Sequence, residues 1–360
     1  MRLLFMSFIF FLAYPSFCQS IKLKPGFDKK EYVELLKVTA KLADSLYNIN
    51  LPQPTKFKKA YHSPVMALDN CWELWTSDDS LAVISIRGST SSTISWVENF
   101  YSAMIPAKGE LIIGKEDTIR YALCNDNKAA VHTGWMIAAA MLSKDIINKI
   151  DSISKAGITN IYITGHSQGG AIAYLLTSYL YSLQQQNIIS TSIQFKTYCS
   201  AAPKPGNLFY AYSYETITKG GWGFNVVNAA DWAPESPMTI QTSKDFNKSN
   251  PFQLMKNDIK KSSFVKRLLF NYVFNNMDRS AVKVTRKFQK HFGQDMGKIV
   301  SKYIPGFVTP IYYKSTNYVR TGNAIVLYPD ADYYKIFPDN PGDALTHHKF
   351  EAYLYLIERY

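Results

Sequence analysis

One stretch constrains this chain more than any other. Ile161-Tyr162-Ile163-Thr164 runs into Gly165-His166-Ser167-Gln168-Gly169-Gly170 and on into AIAYLLTSYLYSL. An apolar strand-like run therefore meets an apolar helical run across the pentapeptide G-x-S-x-G. A serine on so sharp a turn sits in strained backbone, and Gly165 and Gly169, which lack a Cβ, leave room for close chain approach. The turn lifts the Ser167 hydroxyl clear of a sheet. It also aims the N–H groups of the next helix at a reacting carbon, where they stabilise negative charge. The alternative, a glycine-rich turn with an incidental serine, fits the flanks less well.

A serine hydroxyl is a poor nucleophile at neutral pH. It needs a histidine to take its proton and a carboxylate to fix that histidine's tautomer, in the chain order Ser, acid, His. Of the six histidines, His291, His347 and His348 follow Ser167 with room for an acid between. His291 lies among lysines and reads as a surface residue. His347 and His348 precede a final helical pattern, and the base is expected to be one of these two. Asp231 follows the strand-like run Phe224 to Asn228, at a strand's carboxyl end, where active sites of open α/β sheets collect. Asp330 and Asp343 are the runner-up acids; each also reads as a turn aspartate or helix cap.

Residues 29–48 show helical periodicity, with Tyr32, Leu35, Leu36, Leu42, Ala43 and Leu46 on one side. Strand-like runs follow at Leu81 to Ile86, Asn160 to Thr164, Gln194 to Cys199, Phe224 to Asn228 and Ala324 to Tyr328. Helical patterns at Trp135 to Ile150 and Gly170 to Leu183 separate the first three. The alternation predicts an α/β fold with a mostly parallel central sheet flanked by helices. With 47% apolar and 19% charged residues, the 360-residue chain is globular rather than disordered.

The net charge is +12. Residues 244–302 hold eleven Lys and three Arg against four Asp, a net +10, and form a basic, largely helical insertion between the candidate acid and base. Phe264, Val265, Leu268, Leu269, Tyr272 and Val273 make an apolar stripe there, flanked by Lys260, Lys261, Lys266 and Arg267. The simpler expectation is a solvated excursion packed on the core by that stripe. The sharper one is a surface that meets anionic lipid headgroups. No nucleic-acid-binding pattern is present.

Residues 1–18, MRLLFMSFIFFLAYPSFC, match a secretory signal peptide and are short for a membrane span. The expected division is a signal peptide, 1–18, then one hydrolase domain, 19–360, exported to periplasm or medium. Lipid anchoring at Cys18 ranks second because Phe17 is bulky. Export permits one disulfide among Cys71, Cys124 and Cys199, although Cys199 reads as a buried thiol.

With these residues in place, the chain resembles the class 3, or fungal-type, lipases. Ile84-Ser85-Ile86-Arg87-Gly88-Ser89 is similar to the family's strand and R-G-[ST] oxyanion block. Ser95-Trp96-Val97-Glu98-Asn99-Phe100 resembles N-W-x-x-D-[LF], with Ser and Asn for Asn and Asp. Val131-His132-Thr133-Gly134-Trp135 is similar to V-H-x-G-[FW], and Gly165 to Gly170 to G-H-S-[LQ]-G-[GA]. Asn228 to Pro234 resembles N-x-x-D-x-[VA]-P, which carries the acid. His348 to Leu354 resembles H-x-x-x-x-Y-[LF], which carries the histidine and favours His348 over His347.

The resemblance implies an α/β-hydrolase fold, ester hydrolysis on acyl lipids and no cofactor. It also implies a triad of Ser167, Asp231 and His348, with Ser89 and Gln168 as the oxyanion donors. The Ser89 hydroxyl is a possible third donor, and His132 and Arg87 are expected to brace the loops. Two departures lie outside the triad: the basic insertion, and the family's short lid helix, which is not legible over 91–103. Phospholipase A1, short-chain esterase and thioesterase are the rival enzyme readings. A non-catalytic secreted lipid-binding protein is the rival of another class.

Overall fold

A computed structural model describes residues 22–47, 49–250, 263–270, 272 and 276–360. The signal-peptide stretch 1–18, with Cys18, lies outside the described residues. So do Lys260, Lys261 and Val273, and the side chains of Lys266 and Leu269.

The central sheet has seven strands in chain order: β1 (Lys58–His62), β2 (Trp72–Thr76), β3 (Leu81–Ile86), β4 (Asn160–His166), β5 (Gln194–Ser200), β6 (Gly223–Asn228) and β7 (Asn323–Leu327). The first three pair antiparallel, and β3 through β7 pair parallel. Every residue of β3, β4 and β6 is buried, as strands covered on both faces require.

Alternation along these strands divides the core in two. Ala82, Ile84, Ile161 and Ile163 face one cluster, which also takes in residues of α3 (Thr133–Lys155) and α4 (Gln168–Gln185). Leu81, Val83, Tyr162 and Val226 face the other, with α1 (Lys29–Leu42) and α10 (Phe350–Arg359). Helix α1 starts at Asp28, whose carboxylate accepts from the Lys30 and Glu31 N–H groups. It ends earlier than periodicity predicts, and Ser45–Tyr47 forms a single 3₁₀ turn. A short helix, α2 (Thr93–Phe100), does occupy the region where no lid helix was legible. Its eight residues are too few to show a helical period.

The basic segment departs from the simpler expectation. Helix α6 (Phe264–Phe270) carries the stripe, yet Phe264, Val265, Leu268 and Tyr272 are 62–71% exposed. The segment is anchored instead by later residues. Helix α7 (Asn276–Gln289), a π-helical stretch (Lys290–Asp295) and α8 (Met296–Tyr303) follow one another. Within them Phe288 and Val300 are buried, and the Phe292 carbonyl accepts from the Ala103 N–H at 2.9 Å. Cys71, Cys124 and Cys199 are all free thiols, so the permitted disulfide is not formed among them, and Cys199 is buried. Among the described residues no helix is long and apolar enough to cross a membrane.

Candidate active site

Ser167 stands between β4 and α4 with φ 59° and ψ −130°, a region L-residues seldom occupy. The neighbouring glycines explain how it is tolerated. A Cβ on Gly165 would fall 2.3 Å from the Gly169 carbonyl carbon, and one on Gly169 would fall 2.3 Å from the Ile86 carbonyl oxygen. Elbow and β3 thus touch through bare backbone. The Ser167 N–H is held by the Ser200 carbonyl of β5 at 2.9 Å.

Asp231 lies three residues beyond β6, with its N–H on the Asn228 carbonyl at 3.0 Å. Its Oδ1 accepts from the Ala233 N–H, and its Oδ2 accepts from His348 Nδ1 at 2.7 Å and from the Tyr353 hydroxyl at 2.7 Å. Asp231 and His348 are both 2% exposed. An ionised carboxylate is acceptor-only, so Nδ1 carries the imidazole proton and Nε2 remains the basic nitrogen.

His347 faces elsewhere, between the Tyr333 hydroxyl (2.9 Å) and Asp339 (2.9 Å). His291 is exposed beside Asp295. Both runner-up acids are occupied locally: Asp330 caps α9 (Ala331–Ile336), and Asp343 holds the Leu345 N–H and Lys349.

His166, beside Ser167, packs behind His348. Its Nε2 donates to the His348 carbonyl at 2.8 Å, so its Nδ1 accepts from Ser200 Oγ at 3.0 Å, and Tyr32 in turn donates to Ser200 at 2.7 Å. Burial pushes its pKa well below the usual range, which keeps it neutral. His132 caps α3 through the Trp135 N–H, reaches the Asn99 carbonyl with Nε2, and is pushed down by burial to about 3. Arg87 holds the Asp69 carboxylate and carbonyl.

Ser167, Gln168, Ser89 and His348 all line one cavity of about 310 Å³. Its walls are apolar, with Trp96, Phe100, Trp135, Trp232, Phe288 and Phe292 among them. Tyr47 also lines it, with its ring 6.1 Å from that of His348. Behind the cavity is a buried polar chain. Glu98 accepts from Asn70 Nδ2 and Gln168 Nε2, while Gln168 Oε1 accepts from Ser89 and Ser95. In this arrangement the Ser89 hydroxyl proton is directed to Gln168.

Several of these residues were missed in the sequence. Tyr47 falls in a short turn without periodicity. Glu98 stood inside a quoted motif, where a carboxyl beside Trp and Phe was the signal to notice. Phe288 and Phe292 hid in a basic stretch. Among the described residues no three His, Cys, Asp or Glu side chains converge as a metal site requires.

No curated protein matches the chain. Solved structures similar to it include the triacylglyceride lipase of Rhizomucor miehei (18% identity, 59% of this chain and 77% of that one, TM-score 0.41). The lipase of Rhizopus microsporus var. chinensis is also similar (19%, 62% and 76%, TM-score 0.43), as is a triacylglycerol lipase of Penicillium expansum (17%, 59% and 76%, TM-score 0.41). Residues 83–241, from β3 through the elbow to just beyond Asp231, match the family model described as Lipase (class 3). Over that segment, less than half of its length, the chain is similar to the class 3 lipases.

Proposed function

We propose that the protein hydrolyses carboxylic esters of acyl lipids, with Ser167 as nucleophile, His348 as base and Asp231 as the acid that orients it. Ser167 attacks the ester carbonyl as His348 Nε2 takes its proton, and Asp231 stabilises the imidazolium. The backbone N–H groups of Ser89 and Gln168 meet the charge on the tetrahedral oxygen. His348 then protonates the leaving alcohol, and water repeats the cycle on the acyl-enzyme. One observation carries this reading: His348, held by the buried Asp231, lines the same apolar-walled cavity as the strained serine. Such walls suit an acyl chain.

The basic helix α6, with its exposed apolar stripe and Arg267 lying 5.7 Å over the Phe264 ring, supports peripheral contact with an anionic membrane surface. Residues 1–18 support export, followed by a single hydrolase domain. Rates on p-nitrophenyl esters of graded acyl length and on phospholipid vesicles, for wild type, Ser167→Ala, His348→Ala and His347→Ala, test the reading. Loss of turnover in the first two variants and its retention in the third are expected. Full activity in Ser167→Ala or His348→Ala refutes the assignment.

A further inference from the structure

Glu98 is fully buried on α2 and reaches the proposed oxyanion site through the side chain of Gln168. Its Oε1 accepts from Gln168 Nε2 at 2.6 Å and its Oε2 from Asn70 Nδ2. This fixes the Gln168 carboxamide with its oxygen toward Ser89 and Ser95, whose hydroxyls donate to it at 2.9 and 3.2 Å. Ser89 Oγ in turn accepts from Asn99 Nδ2 at 2.8 Å. Each donor has an acceptor, and the chain has one direction. That direction belongs to an ionised Glu98, which can only accept.

A protonated Glu98 reverses it. The carboxylic O–H needs an acceptor, and Gln168 supplies one when its carboxamide turns over. The amide nitrogen then faces Ser89 and Ser95 with two N–H groups, which both hydroxyl oxygens accept. Asn70 Nδ2 and Asn99 Nδ2 keep their acceptors and the Thr90 N–H keeps Ser95 Oγ, while Asn70 Oδ1 gives up the long bond from Gln168 Nε2 at 3.5 Å. Two hydroxyl protons then leave Gln168 Oε1: that of Ser95 turns to another acceptor, and that of Ser89 is released toward the cavity that Ser89 lines.

We infer that Glu98 is a positioning residue of the oxyanion site, acting through Gln168 to decide whether the Ser89 hydroxyl donates to Gln168 or to the reacting oxygen. This rests on the roles of Ser167 and Ser89 proposed above. Burial raises the Glu98 carboxyl to about 8, with Asp69 adding to the effect and the two amide bonds opposing it. The other charged and titratable groups around it are the Asp69–Arg87 ion pair, His132 at the start of α3, held neutral by burial, and His348 on the same cavity as Gln168. Activity is therefore expected to be high below about pH 8 and to fall as Glu98 ionises.

The test is kcat and KM for p-nitrophenyl butyrate from pH 6 to 10, corrected for spontaneous hydrolysis, in wild type, Glu98→Gln, Ser89→Ala and Ser167→Ala. In wild type kcat should fall at least tenfold above pH 8 with KM little changed, as loss of one oxyanion donor implies. A glutamine at 98 accepts from Asn70 and donates to Gln168, so it holds the turned-over carboxamide at every pH. The ratio of kcat at pH 7 to kcat at pH 9.5 should collapse to about 1 in Glu98→Gln, and likewise in Ser89→Ala, where no hydroxyl remains to be redirected. An alkaline fall that persists in either variant overturns the inference, as does its absence from wild type. Should Glu98→Gln not fold, the Ser89→Ala ratio still decides. Turnover surviving in Ser167→Ala condemns the proposed function instead, so the two failures are separable.

Discussion

The elbow region and the basic segment put the same kinds of side chain to opposite uses. Around Ser167 every apolar residue of β4 is buried, and polar groups are tied in pairs or chains: Asp231 to His348 and Tyr353, Glu98 to Gln168 and Asn70. Over 264–272 the apolar side chains Phe264, Val265, Leu268 and Tyr272 stand in solvent, with Arg267 over the Phe264 ring. The difference lies in what each sequence can reach. The β4 run sits between two parallel strands with helices on both faces, so all its side chains find partners. The insertion is held by a few later contacts, Phe288, Phe292 and Val300, which leave its first helix uncovered. One region is a packed, hydrogen-bonded core around the candidate site, and the other offers surface.

Substitutions can break this comparison or sharpen it. The largest effect belongs to the site: Ser167→Ala or His348→Ala should lower kcat about 10⁴-fold or more, whereas His347→Ala should stay close to wild type in the same ester assay. Next comes packing. Ile163→Ala, in the centre of β4, should cost about 2–5 kcal/mol in denaturant unfolding. Phe292→Ala should shift the preferred p-nitrophenyl ester toward longer acyl chains, because it removes a wall of the cavity; an unchanged chain-length profile would show that the insertion has no part in substrate fit.

A smaller effect is the response of stability to pH. His132 and His166 are held neutral in the folded state and protonate only on unfolding, so unfolding takes up protons below about pH 6.5. Stability is therefore lost as pH falls from about 6.5, for His132 down to about 3. Glu98 acts with the opposite sign: unfolding releases its proton between the ordinary glutamate value and about 8, so its contribution declines as pH rises through that window. A Tm measured across pH 5 to 9 should show losses at both ends, with the acid-side slope flattened in His132→Asn. The smallest effect is expected on the exposed stripe. Leu268→Ala should change unfolding stability by no more than about 0.5 kcal/mol, while weakening sedimentation with anionic vesicles.

Much of the fold was legible because the core obeys period. Five runs of strand character became β3 to β7, and the helical patterns between them became α3 and α4, each longer than its apolar run because polar residues extend both ends. The antiparallel pair β1 and β2 was not legible: Lys58–His62 is exposed and polar, with its register broken between Lys59 and Tyr61. At the site, the elbow, Asp231 and His348 sit in contiguous motifs and could be read. Tyr47, Asn70 and Glu98 could not, since their proximity to Ser167 or Gln168 is made only by folding. Exposure of the stripe was beyond reach for a similar reason. Periodicity identifies an apolar face but does not say whether a partner surface arrives to cover it.

The central claim is that one strained serine is made reactive by a distant histidine. Labelling with an alkyl fluorophosphonate, followed by peptide mass spectrometry, addresses it directly. A single adduct on Ser167 is expected in wild type and in His347→Ala, with labelling lost in Ser167→Ala and slowed by orders of magnitude in His348→Ala. Adduct formation on another serine, or undiminished labelling of Ser167 when His348 is removed, would contradict the account.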